Sequence, residues 1–66
     1  MSRYKRGGFI FDYWKSDHPP KRFHVFDSKG KFLGRFDIEN MKPIGNWSPL
    51  RRVIKFIKQI VKEKEL

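Results

Sequence analysis

His24 is the side chain in this sequence best matched to proton transfer near neutral pH, and its neighbours are charged. In an extended segment alternate residues share a face, so Arg22, His24 and Phe26 lie together. A hairpin partner running from Lys31 to Glu39 can bring Leu33, Arg35 and Asp37 to the same face. The register decides this, because a slip of one residue sends Arg35 to the other side. An imidazole between two guanidinium groups has parts suited to cleaving an RNA phosphodiester. His24 is a base or an acid, and Arg22 and Arg35 hold the phosphate and stabilise the charge it gains. Tyr13 and His18 are the candidates for the second proton-transfer group. The alternative is a half-exposed histidine that packs on Leu33 and Phe26 and does no chemistry.

The other chemistry available is ionic. Arg51 and Arg52 fall in the first turn of the one helix the sequence predicts, where the macrodipole favours acidic residues. They suit an anion at that helix end, or they reach into solvent. Arg51, Lys55, Lys58 and Lys62 recur along one helix face. Arg3, Lys5 and Arg6, with Tyr4 among them, form a basic N-terminal stretch, and cations interleaved with aromatics suit single-stranded nucleic acid. Two histidines and scattered aspartates match no metal-ligand spacing, and no cofactor motif is present. Gly7-Gly8 is not followed by the Lys and helix of a phosphate loop, and there is neither a nucleophilic Cys nor a Gly-x-Ser-x-Gly elbow.

These residues need a scaffold, and 66 residues supply one domain at most. With no cysteine, stability must come from the seven Phe, two Trp and two Tyr, from a second subunit such as a homodimer partner, or from both. The net charge of +9 favours a polyanionic or acidic partner. Residues 1–22 hold six basic and two acidic side chains, as do residues 51–66. No apolar run approaches the length of a membrane span, and no apolar signal region follows Met1–Gly8, so the expected location is cytoplasmic.

Period-two patterning predicts strands over Phe9–Trp14, Arg22–Asp27 and Lys31–Glu39, the last two joined by a turn at Asp27-Ser28-Lys29-Gly30. Residues 1–8 read as a basic arm and residues 40–47 as a loop. Ser48 as N-cap and Pro49 as first helical residue open a helix over residues 48–64. The expected fold is α+β: a three-stranded antiparallel sheet with the helix on one face. Phe23, Val25, Phe32, Phe36 and Ile38 would face Leu50, Val53, Ile54, Ile57 and Val61.

The order of segments resembles a known family. Gly7-Gly8-Phe9-Ile10-Phe11 is followed by Ser16-Asp17-His18-Pro19-Pro20, Phe23-His24-Val25, Gly34-Arg35-Phe36-Asp37-Ile38-Glu39 and a Ser-opened helix. This is similar to the small bacterial family called domain of unknown function 4160, over nearly the whole chain. Many members carry two histidines separated by one residue, where this chain has Arg22 and His24. A two-histidine mechanism therefore does not transfer. The resemblance implies a toxin-side component of a toxin–antitoxin pair and no particular reaction; joined to the basic surface, it gives a toxin-like protein acting on RNA or its machinery, a ribonuclease-type toxin in the catalytic version. The alternatives are a non-catalytic nucleic-acid-binding module and an interaction unit that docks an acidic, antitoxin-like protein.

Overall fold

The computed structural model describes residues 2–14 and 21–66. Along the chain come β1 (Ser2–Arg6), β2 (Phe9–Trp14), β3 (Arg22–Phe26), β4 (Phe32–Asp37), β5 (Lys42–Ile44) and α1 (Arg51–Lys64). The strands pair in sequence order as one antiparallel meander, with α1 across one face. The α+β class agrees with the hydrophobic pattern, but the expected three-stranded sheet is wrong: the sheet has five strands.

Both additional strands are edges. Within the expected basic arm, Ser2–Arg6 forms β1, which turns into β2 through Gly7 and Gly8 at φ of 56° and 83°. Two consecutive residues at positive φ are what a two-residue hairpin needs, and glycine adopts that backbone without a Cβ clash. Gly7 is also fixed by space, because a Cβ there would run into the ring of Phe56. Within the expected 40–47 loop lies β5. Its Pro43 has no N–H to donate, which an edge strand tolerates.

Alternation sends Phe9, Phe11, Phe23, Val25 and Phe36 to one side, where Val53, Ile57 and Ile60 of α1 cover them. Phe11, Phe23, Val25, Phe36, Ile57 and Ile60 have no exposed surface. Tyr4 and Tyr13 meet Phe23 edge-on, with ring centroids 6.2 and 6.0 Å away. Each fully buried aromatic or branched side chain contributes roughly 1.5–3 kcal/mol over an exposed one.

Two expected core residues lie outside it. Leu50 is 53% exposed, just ahead of the helix. Phe32 is 52% exposed because the β3–β4 ladder slips: Val25 faces Gly34, but Phe26 faces Phe32. The extra β4 residue is Leu33, which packs towards the core, so Phe32 passes to the opposite face. Reversing the facing of a side chain is the ordinary consequence of a bulge.

The helix also starts later than Ser48. Leu50 is its N-cap residue, and no side chain caps it. The residues ahead are committed elsewhere. Trp47 Nε1 donates to the Arg35 carbonyl at 2.7 Å, and its indole lies on Gly34, where any Cβ would clash. At the other end Glu65 adopts the left-handed conformation, and Lys62 and Lys64 complement the helix dipole. Among the described residues no helix is long and apolar enough to cross a membrane.

The bulge makes a prediction. Phe36→Ala should cost about 3–5 kcal/mol and Ile57→Ala about 2–5 kcal/mol, enough to unfold a marginal domain of this size. Phe32→Ala should shift a denaturant midpoint only slightly. Equal losses for Phe32 and Phe36 would contradict the bulged register.

Candidate nucleic-acid interface

The helix covers one face of the sheet, and among the described residues no element covers the other. Across that open face the register aligns Arg3, Asp12, His24, Arg35 and Ile44, one from each strand. Towards one end lie Lys5, Ile10, Phe26 and Phe32; towards the other lie Trp14, Arg22, Asp37 and Lys42. His24 is thus directly opposite Arg35, with Arg22 two residues away on its own strand. Trp14, Arg22, His24 and Arg35 together line a shallow depression of about 320 Å³.

Aromatic rings run across this surface without a break. Trp14 is 5.4 Å from His24, His24 is 5.9 Å from Phe32, and Phe32 is 5.5 Å from Phe26, between ring centroids. Trp14 is 43% exposed and Phe32 more so. Exposed aromatic rings beside cations offer π-faces to stacking bases while phosphates meet the charges.

Two ionic arrangements tune the face. Arg3 donates from Nε to Asp12 Oδ1 at 2.7 Å and from Nη2 to Oδ2 at 3.0 Å. The Asp12 carboxylate is buried, and the hydrogen bond from Arg3 holds it below the ordinary range against the opposing effect of burial. The imidazole of His24 is pushed below 6.5, first by burial and then by the positive charges of Arg22 and Arg35, with Asp12 pulling weakly the other way. It is therefore neutral at pH 7 and able to accept a proton.

The sequence-predicted residues divide among several places. Arg22, His24 and Arg35 come together on the open face, and Arg3 and Lys5 share it. Asp37 does not serve His24. Its Oδ1 accepts the backbone N–H groups of Glu39 and Asn40, and its Oδ2 accepts the Asn40 side chain. Burial alone would raise its pKa, but these hydrogen bonds and Lys42 hold it low. Leu33, expected beside His24, packs on the core side instead. Tyr13 packs on Phe23 within the core layer, so it cannot act beside His24. His18 lies outside the described residues. Arg6 pairs with Glu63 of the helix, and Arg52 lies over the Phe9 ring at 5.5 Å.

Arg51, Lys55, Lys58 and Lys62 are exposed on the side of α1 turned away from Val53, Ile57 and Ile60. Arg3 and Lys5 therefore do not form one surface with the helical cations, which belong to the opposite layer; of the N-terminal cations only Arg6 reaches the helix side. Sequence reasoning placed Phe26 with Arg22 and His24 but missed Trp14 and Phe32 as parts of the face, and it missed the Arg3–Asp12 pair. The signal for the pair was the Gly7-Gly8 turn, which sets the β1–β2 register.

Among the described residues no group of three or more His, Cys, Asp or Glu side chains is placed to hold a metal ion. Neither family models, curated proteins nor solved structures yield a match to the chain.

The cause of the His24 shift can be checked by NMR. Its imidazole should titrate below 6.5, and Arg22→Gln with Arg35→Gln should raise that pKa. The folded state binds fewer protons than the unfolded chain below 6.5, so stability should be full above that pH and decline as pH falls towards the folded pKa. An unchanged titration in the double variant would assign the shift to burial alone.

Proposed function

We propose that the chain is a binding module for single-stranded nucleic acid, RNA in the first instance, and that the open sheet face is where the strand lies. The observation that carries this reading is the row Trp14, His24, Phe32 and Phe26 set among Arg3, Lys5, Arg22, Arg35 and Lys42. A sheet face that no element covers, as this one is among the described residues, would ordinarily carry polar residues; exposed Trp14 and Phe32 are large apolar surface in water. Stacked bases would cover those rings, and the net charge of +9 supplies the long-range attraction.

A ribonuclease-type toxin is the second reading. What favours it is one position, a neutral imidazole opposite one guanidinium and near another. His24 would take the proton of a 2′-hydroxyl, and Arg22 and Arg35 would stabilise the charge on phosphorus oxygens. The step also needs a proton donor for the leaving oxygen. Among the described residues the aromatic hydroxyl considered for this, Tyr13, is on the wrong face.

Direct binding of RNA and DNA oligonucleotides separates the readings. Affinity should fall with salt, each phosphate contact adding about −0.7 to the slope of log affinity against log salt. Trp14→Ala should lose about 1–3 kcal/mol, or roughly 5- to 150-fold, as loss of a stacked base does. Lys55→Gln with Lys58→Gln should change affinity far less, because those residues lie on the helix side. Product formation that His24→Ala abolishes would move the assignment to the ribonuclease. No binding at low salt would reject both.

A further inference from the structure

We infer that the depression between Trp14, Arg22, His24 and Arg35 is a proton-linked phosphate subsite, in which one base lies on Trp14 and the neighbouring phosphate sits over His24. This rests on the reading of the open face as a single-strand surface and assigns the anchor within it.

The geometry narrows the choice to this place. Of the residues on the open face, these four line one recess together. Trp14 forms a wall, its ring centroid 5.4 Å from that of His24 and tilted 32° to it. Arg22 on β3 and Arg35 on β4 bring two guanidinium groups to the same recess, and planar donor forks match phosphate oxygens. The arginine of the same row on β1 is different: Arg3 is taken up by both oxygens of Asp12. Asp12 is thereby neutralised beside His24, so the recess keeps its positive character.

Among the described residues, the titratable and charged groups facing His24 are Arg22 on its own strand, Arg35 on β4 and Asp12 on β2, the last held by Arg3 of β1. When the recess is empty, two cations and partial burial resist a third positive charge. An entering phosphodiester reverses that balance, because its negative charge favours the imidazolium. Solvent supplies the proton; no covalent bond forms or breaks. By linkage, binding must tighten as pH falls through the window between the free and bound pKa of His24. Both ring nitrogens of the imidazolium are donors, so the protonated form also gains a hydrogen bond to phosphate.

The test is the affinity of the full chain for a uridine oligonucleotide of about six residues, at fixed ionic strength from about pH 5.5 to about 8. Affinity should rise towards low pH, by up to about tenfold per unit for one proton taken up. His24→Gln should flatten the profile, whereas Lys55→Gln, on the far side of α1, should leave it sloped. Independently of any variant, the His24 imidazole of the wild-type protein should titrate at higher pH with saturating oligonucleotide than without it. Binding that is independent of pH, a slope that survives His24→Gln, or an unmoved imidazole titration would overturn the subsite while leaving single-strand binding in place. Absence of oligonucleotide binding at every pH would overturn the underlying reading as well.

Discussion

One helix of fourteen residues can cover one face of a five-stranded sheet and no more. That limit organises the whole molecule. The apolar alternation of β2, β3 and β4 commits Phe9, Phe11, Phe23, Val25 and Phe36 to the covered side. The alternate residues of those strands are then delivered to the face that α1 does not cover, whatever their chemistry. In a chain of this size the core is marginal, so the facing of the phenylalanines is strongly specified. The positions of His24, Arg22 and Arg35 follow from the burial of Phe23 and Phe36, their neighbours in sequence. Placement of the functional groups and stability of the fold are thus one constraint seen from two sides of the sheet.

The bulge at Leu33 qualifies that rule at one point, and the exception matters to the surface. Strict alternation would put Phe32 into the core with Gly34 and Phe36. The inserted residue sends Phe32 outward, where it meets His24 and Phe26. Gly34, beside the bulge, admits the indole of Trp47, whose Nε1 bonds to the Arg35 carbonyl. The segment leading into α1 is therefore tied to the strand that carries Arg35, and the late start of the helix at Arg51 belongs to the same arrangement. Ser48 has the chemistry of a cap, but it stands two residues too early to serve as one.

What the sequence made legible and what it hid differ for physical reasons. The central strands could be read because their residues are aromatic or β-branched and alternate with charge. β1 could not be read that way: Ser2, Arg3, Lys5 and Arg6 look like a solvated arm, since edge strands use charge against unwanted pairing. The Gly7-Gly8 turn was its one local signature. β5 is three residues long and contains Pro43, which argues against a strand everywhere except at an edge. The grouping of Arg22, His24 and Arg35 on one face was legible from alternation once the hairpin was assumed. The partnership of Arg3 with Asp12 was not, because it needs the β1 register. Nor was the separation of the helical cations from that face, because it depends on which side of the sheet α1 takes. The resemblance to domain of unknown function 4160 likewise rests on short segments, and the toxin-like role it implies remains a proposal carried by those segments and by His24.

The measurement closest to the central claim is a residue-resolved NMR titration of the labelled chain with a single-stranded oligonucleotide. The account expects the shifts to concentrate on Trp14, Arg22, His24, Phe32 and Arg35, with the exposed side of α1 from Arg51 to Lys62 nearly silent. Shifts that gather on Arg51, Lys55, Lys58 and Lys62, leaving the open sheet face unmoved, would contradict it.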